Sequence, residues 1–183
     1  MDTTDTLHWF AMRATYRREL KARDELTGAG AEVFIPMRWT KRKVGERMKR
    51  VETPAVNSLF FVHCSQPFIQ EFKRRRAYIQ YMCSPVPGGG RKPIIVPDNQ
   101  MEEFIRVSSL VDDNAEYIDA ETTILTPGTR VVVTSGPFEG TKGTFQKIVG
   151  RRNRQFVIQI EGVLALAIQI SPKQIDVLSN NEI

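Results

Sequence analysis

Short apolar runs separated by polar turns predict the elements of the first 110 residues. Strands are expected where β-branched and aromatic residues alternate or cluster, and helices where apolar residues recur at helical spacing. The predicted strands cover residues 7–14, 32–37, 59–64, 78–83 and 93–96, and the predicted helices cover residues 16–27, 67–73 and 98–107. Thr15 is the expected N-cap of the first helix, and Asp98 that of the last. The order β-α-β-β-α-β, with an added edge strand and helix, predicts a ferredoxin-like α+β sandwich.

A strongly basic segment interrupts this pattern after the second predicted strand. Residues 38–50 hold seven Lys and Arg residues against one acid, Glu46, and Gly45 stands in the middle. The glycine predicts a turn, so the segment is expected to form a long protruding hairpin. Contact with DNA or with a protein partner and a merely solvated loop are both open interpretations of its charge.

The glycine spacing near the C-terminus predicts a tight turn between two strands. Residues 130–134 are rich in β-branched side chains, and a turn segment follows that contains Gly136, Pro137, Phe138, Gly140 and Gly143. Glycine allows positive φ and close backbone approach, and both are needed in such a turn. The segment 127–145 resembles the KOW motif, which implies a small SH3-like β-barrel. Later strands are predicted at residues 155–160 and 164–170, with a hinge at Gly162.

Charge divides the chain into two basic bodies joined by an acidic segment. Residues 1–110 hold nineteen Lys and Arg against twelve Asp and Glu, residues 111–124 hold five acids and no base, and the remainder holds seven bases against four acids. The acidic segment has few groups to bury, which predicts a flexible linker. The expected domains are therefore residues 7–110, a linker at 111–124 and a barrel at 125–178. A polyanionic partner is the natural inference from the basic bodies.

Candidate chemistry is sparse. The two cysteines, Cys64 and Cys83, lack metal-ligand spacing and are expected to be reduced thiols, while His8 and His63 stand alone. The pattern indicates no catalytic arrangement, cofactor or metal site, so we expect a protein that is not an enzyme. The N-terminus is polar and acidic, and the longest apolar run is too short for a bilayer, which predicts a cytoplasmic protein without a membrane partner.

The two halves together resemble the NusG family of transcription factors. The resemblance rests on residues 9–13, the helix that follows, Phe34-Ile35-Pro36, residues 57–62 and the KOW segment, which stand in the family's order. It covers nearly the whole chain from Leu7 and is closest to specialised paralogs of the RfaH and UpxY type. It implies an N-terminal NusG-like domain, called NGN, that binds the clamp helices of RNA polymerase and suppresses pausing or termination. The paralogs further suggest polysaccharide-biosynthesis operons as targets.

The resemblance also implies binding residues. An apolar depression for polymerase would consist of Trp9, Tyr16, Val56 and Leu59, although the chain departs from the family's aromatic pattern at residues 56–59. Trp9 could equally be an ordinary core residue. DNA near the transcription bubble would meet a basic face formed by Arg17, Arg18, Lys21, Arg74, Arg75 and Arg76.

The partner of the barrel is less defined. A ribosomal protein is a candidate, whereas Rho is not favoured, because Glu161 precedes Gly162 where general NusG proteins carry an aromatic residue. A KOW-containing RNA-binding protein of the translation apparatus is an alternative, and a nucleic-acid enzyme lacks clustered acidic metal ligands.

Overall fold

The computed structural model describes residues 6–111, 115–119, 128–148 and 152–178. By contact clustering the chain divides into two units, the first ending at Met101 and the second beginning at Glu102. This boundary lies inside the third helix, whereas the sequence placed the end of the first domain at residue 110. The two units are described separately.

The first unit is built around one antiparallel sheet with two helices. Its elements in order are β1 Leu7–Ala14, α1 Glu19–Gly28, β2 Glu32–Phe34, β3 Met37–Val44, β4 Arg47–Pro54, β5 Leu59–Ser65, α2 Gln66–Arg74, β6 Ile79–Tyr81, β7 Cys83–Pro85, β8 Arg91–Pro93 and β9 Ile95–Val96. The sheet order is β2-β5-β1-β6, and β9 also pairs with β1. The mixed α+β class is confirmed. The strands of the main sheet follow the order β-α-β-β-α-β, with β3 and β4 inserted between β2 and β5.

Alternation along β1 and β5 gives the sheet two different faces. Phe10 and Met12 of β1 and Phe60 and Val62 of β5 belong to one buried cluster, which also contains Ala22 and Leu26 of α1 and Ile69 of α2. Their sequence neighbours, including Trp9 and Leu59, therefore point to the opposite face. This division positions the residues considered in the next subsection.

The basic segment forms a two-stranded ribbon, as predicted. β3 and β4 pair antiparallel from Met37 opposite Pro54 to Val44 opposite Arg47. Gly45 takes the left-handed conformation that the turn needs, with φ of 63°. A second, shorter hairpin pairs β7 with β8.

The second unit is a six-stranded antiparallel sheet. The third helix, α3 Asp98–Leu110, crosses the unit boundary, and the following elements are β10 Glu116–Asp119, β11 Thr129–Val133, β12 Lys142–Lys147, β13 Arg154–Ile160, β14 Leu164–Ile168, a short 3-10 helix Pro172–Gln174 and β15 Ile175–Val177. The sheet order is β10-β14-β13-β12-β11-β15. All five residues of the internal strand β14 are buried.

The glycine-rich turn between β11 and β12 uses its glycines in two ways. Gly136 and Gly140 have φ of 90° and 82°, and the amide of Gly140 donates to the carbonyl of Val133 at 2.8 Å. Gly143 instead lies on β12 opposite Val131. A Cβ atom there would lie 2.6 Å from the carbonyl oxygen of Val157 and 2.7 Å from the ring of Phe156. Gly143 is thus required for close packing, and not for the turn's backbone conformation.

The start of α1 differs from the prediction. The sequence placed Thr15 as N-cap and Tyr16 as the first helical residue, but the helix begins at Glu19. Tyr16 and Arg17 have φ of 60° and 55°, and the amide of Thr15 donates to the carbonyl of Tyr78 at 2.8 Å. The chain therefore turns sharply before entering the helix, because Thr15 is held by a strand-like bond to the neighbouring segment.

The predicted linker is wrong for Glu116–Asp119, which form a strand. β10 pairs with β14, and Ile118 is part of a buried cluster with Val157 and Ala165. The burial of Ile118, with Tyr117 beside it, stabilises a strand despite the acidic residues of the segment. The rest of the predicted linker at 112–114 and 120–124, and the predicted start of the barrel at 125–127, lie outside the described residues.

Candidate functional site

Trp9 lies on the sheet face that α1 and α2 do not cover. Its indole stacks on the imidazole of His63 in the neighbouring strand, with ring centroids 4.9 Å apart and planes at 16°. His63 has a carboxylate near each ring nitrogen: Glu32 at 3.5 Å from Nδ1 and Asp98 at 3.9 Å from Nε2. Trp9 is thus held between strand neighbours and is buried, which is how a core tryptophan behaves.

The predicted apolar depression is brought together only in part. Leu59 is opposite Arg13 in the β1–β5 register, and Trp9 is opposite His63, so the two share one face. Val56 is buried in the connection before β5. Tyr16, by contrast, is 86% exposed, and its ring lies 5.6 Å from the guanidinium of Arg18. The structure therefore associates Tyr16 with basic side chains.

Most of the predicted basic residues converge on a cleft between α1 and the segment after α2. The cleft has a volume of about 520 Å³ and is lined by Arg18, Lys21, Glu25, Arg75, Arg76, Ala77 and Tyr78. α1 supplies Lys21 and Glu25, one helical turn apart, and Arg18 stands immediately before the helix. We call this the basic cleft.

Glu25 organises the cations of the basic cleft. Its carboxylate accepts a hydrogen bond from Nε of Arg76 and lies 3.7 Å from Nζ of Lys21. The hydrogen bond from Arg76 is the main reason that the pKa of Glu25 is below its ordinary value. Arg76 also packs on the ring of Phe72 at 3.8 Å and donates to the Phe72 carbonyl at 3.3 Å. The guanidinium of Arg76 is therefore engaged within the protein.

Tyr78 forms an aromatic wall of the basic cleft. The guanidinium of Arg18 and the ammonium of Lys21 each lie 5.5 Å from its ring centroid. Burial raises the pKa of the Tyr78 phenol, and the neighbouring Glu25 carboxylate adds to the effect. Arg18 thus has two aromatic neighbours, Tyr16 and Tyr78.

The four consecutive basic residues at the end of α2 and immediately after it contact different neighbours. Lys73 Nζ lies 3.9 Å from the ring centroid of Tyr81, and burial lowers its pKa. Arg74 pairs with Glu71 at 2.7 Å, while Arg75 is exposed and lines the basic cleft. Arg17 is exposed on the turn before α1. Of the six predicted DNA-facing residues, Arg18, Lys21, Arg75 and Arg76 therefore meet in one place.

Sequence reasoning missed Glu25 and Tyr78. The signal for Glu25 was its position four residues after Lys21, a spacing that places both side chains on one helix face. Tyr78 follows Arg76 by two residues, but nothing in its local sequence indicates that it faces α1. That contact depends on how β6 pairs with β1.

Within the described residues, no three His, Cys, Asp or Glu side chains are grouped as metal ligands. No helix in the described part of the chain has the length and apolar character to traverse a bilayer. Cys64 and Cys83 are both free, and burial raises the pKa of the Cys64 thiol to about 12.

Comparison with known proteins identifies a family and a similar solved structure. A family model described as "Transcription termination factor nusG" matches residues 7–105. A solved structure entitled "Domain interaction in Thermotoga maritima NusG" is similar at 19% identity and a TM-score of 0.48, over 95% of this chain and 98% of that one. No protein with a curated description matches the chain.

Proposed function

The chain belongs to the NusG family of transcription factors, and from this premise we propose that it is an elongation and antitermination factor that rides on RNA polymerase. In this proposal the first unit is an NGN domain of ferredoxin-like fold, and the second is a KOW domain with an SH3-like barrel. The protein works in the cytoplasm, is not an enzyme, and is specialised in the manner of the RfaH and UpxY paralogs. Its targets would include polysaccharide-biosynthesis operons.

Polymerase binding is assigned to the region around Trp9, Tyr16, Val56 and Leu59. Three of these side chains are buried, so Tyr16 is the group that a partner can reach directly. The left-handed backbone at Tyr16 and Arg17 supports this role, since such strain is commonly retained at binding sites. The buried three would then shape the surface that the clamp helices meet.

DNA contact is assigned to the basic cleft, and the convergence of its cations is the observation that carries this part of the proposal. Arg18 and Arg75 come from opposite sides of the cleft and are both exposed. Cations next to aromatic rings suit single-stranded DNA. The cations can contact its phosphates while the aromatic rings stack on its unpaired bases. Arg76 and Lys21 act mainly by positioning, because both pair with Glu25.

A Tyr16→Glu variant tests polymerase binding without disturbing the core, because Tyr16 is 86% exposed. Co-purification with the core RNA polymerase, after nuclease treatment, should fall at least tenfold relative to the unaltered protein. The matched control is Val177→Glu, an exposed apolar residue of the second unit, which should co-purify normally. Equal recovery of polymerase with both variants would show that Tyr16 is not in the interface.

The functional outcome is measured by transcription in vitro with purified polymerase. The protein should increase readthrough at pause and termination sites, and Rho should not be recruited by it. Shortened transcripts on addition of the protein would contradict antitermination. Arg18→Gln with Arg75→Gln should lower the salt dependence of single-stranded DNA binding by about 1.4 in log-log slope, the value for two lost phosphate contacts.

A further inference from the structure

The ribbon of β3 and β4 carries charge that its own folding does not explain. All ten residues from position 41 to position 50 are exposed. In the antiparallel register Lys41 is directly opposite Arg50, and Arg42 is directly opposite Lys49. Like charges in such positions destabilise a strand pair, and an isolated two-stranded hairpin is only marginally stable in water. A polyanion would remove this repulsion.

The cations are distributed over both faces of the ribbon. Strand alternation places Lys41, Lys43 and Arg50 on one face and Arg38, Arg42, Arg47 and Lys49 on the other. The one acid near the tip is Glu46, in the turn, and Glu52 lies near the base. A flat anionic surface could engage only one of these faces at a time, whereas a groove with two phosphate walls engages both.

The dimensions of the ribbon favour a groove. Eight-residue strands extend about 26 Å at the rise of a β-strand, and paired strands are separated by about 4.8 Å. The major groove of B-DNA, about 12 Å wide, admits a two-stranded ribbon. Two-stranded ribbons also twist strongly, which suits a helical groove.

The aromatic residue of the ribbon does not favour a single strand. Trp39 is 50% exposed, but the guanidinium of Arg50 lies 5.1 Å from its ring centroid. One side of the indole is therefore already occupied. Trp39 also lies near the ribbon's base, opposite Glu52, so a base stacked there would approach a carboxylate.

We propose that the β3–β4 ribbon is a second DNA-binding element, which enters the major groove of duplex DNA and contacts phosphates on both walls. This goes beyond the proposed function, because it concerns a different surface from the basic cleft and a different form of DNA. It needs neither polymerase nor an unpaired strand.

The test compares duplex and single-stranded DNA binding by the full chain, using fluorescence anisotropy with a labelled 20-base-pair duplex and a 20-nucleotide single strand. The variant is Arg42→Gln with Lys49→Gln, which removes one directly opposed pair. The duplex dissociation constant should rise about tenfold, and the log-log salt slope should fall by roughly two. Binding to the single strand should change less than twofold.

Two matched variants remove the same charge elsewhere. Arg130→Gln with Lys173→Gln alters exposed residues of the second unit, and should leave duplex affinity within twofold. Arg18→Gln with Arg75→Gln alters the basic cleft, and should weaken single-strand binding more than duplex binding. Failure of this cleft variant alone counts against the proposed function and not against the ribbon.

Three results would overturn the ribbon proposal. The ribbon variant could leave duplex affinity unchanged, weaken both forms of DNA equally, or act no more strongly than the second-unit control. Amide chemical shifts provide an independent check, because adding unlabelled duplex should perturb residues 41–50 most. Perturbations confined to other parts of the chain would also overturn it.

Discussion

Glu25 is the carboxylate that pairs with two cations of the basic cleft, Arg76 and Lys21. Its carboxylate accepts from Arg76, and this bond lowers its pKa below the ordinary value of 4.5. A depressed carboxyl pKa stabilises the folded protein at pH values above the unfolded pKa, and this contribution is lost as the pH falls through the folded pKa. The stabilisation is modest because the pair is partly screened by solvent.

We therefore expect Glu25→Gln to lower the free energy of unfolding by about 1 kcal/mol at pH 7, and the difference between variant and parent to be smaller at pH 3, because the depressed pKa lies below 4.5. Urea denaturation at the two pH values measures this. The matched control is Glu71→Gln, which removes an exposed pair with Arg74 and should cost less. A penalty that persists unchanged at pH 3 would show that the carboxylate's charge is not the cause.

The same substitution should have the opposite effect on DNA. Without the carboxylate, Arg76 and Lys21 lose their internal partner and become available to phosphates. Glu25→Gln should therefore tighten single-strand binding by about three- to tenfold at low salt. The reason is that the variant removes one negative charge and frees two cations to neutralise phosphates. Titration at two salt concentrations tests it, and weaker binding would mean that Glu25 orders the cleft for its ligand.

Gly143 and Gly140 form a matched pair of glycines with different physical roles. At Gly143 a new Cβ would meet a backbone carbonyl at 2.6 Å, whereas at Gly140 the space is open but φ is 82°. Gly143→Ala should cost about 3 kcal/mol through overpacking, and Gly140→Ala about 1 kcal/mol through backbone strain. Chemical denaturation of both variants measures these losses in the free energy of unfolding. Equal losses would show that β12 shifts to admit the methyl group.

At the scale of elements, the sequence predicted what depends on local pattern. β1 is found at the predicted residues 7–14, and the ribbon follows from Gly45 between two charged runs. The late start of α1 was missed because the hydrogen bond from Thr15 to Tyr78 joins residues far apart in the chain. β10 was missed for a similar reason, since its strand character comes from pairing with β14.

In the candidate site, too, the sequence predicted local features but not contacts between distant segments. The grouping of Arg18 and Lys21 could be predicted from one helix, and their approach to Arg75 could be inferred only through the family resemblance. Tyr16 was assigned to an apolar depression through the family resemblance. The left-handed turn instead directs it toward Arg18, and no local signal in the sequence indicates that turn.

The ribbon yields a prediction about its own stability. Lys49→Glu converts the repulsive pair with Arg42 into an attractive one. Cross-strand pairs of opposite charge contribute about 0.2–1 kcal/mol, so amide hydrogen exchange in residues 41–50 should slow by about two- to fivefold. Lys49→Gln, which only removes the repulsion, should have a smaller effect. Faster exchange in the glutamate variant would contradict the idea that charge repulsion loosens the ribbon.

At the scale of the whole molecule, the question is whether the second unit has one fold or two. Residues 163–168 contain good helix formers, Leu and Ala, but the segment forms the buried internal strand β14. The family's specialised paralogs include a member, RfaH, whose barrel refolds into a helical hairpin. In this chain the segment between β11 and β12 opposes such refolding, because Gly136, Gly140 and Gly143 each disfavour a helix by about 1 kcal/mol.

We expect the second unit of the free protein to remain a β-sheet. Both halves of a helical hairpin would have to form together, so the glycine segment outweighs the helix formers of β14. Carbon chemical shifts of residues 128–148 and 152–178 should therefore have strand values in solution, and polymerase binding should need no DNA signal to release it. The comparison variant Gly136→Ala with Gly140→Ala removes two helix-breaking residues and should destabilise the sheet without producing helix. Helical shifts in the unaltered chain would refute a single fold, because they would show that the helix formers around Leu164 prevail over the glycines.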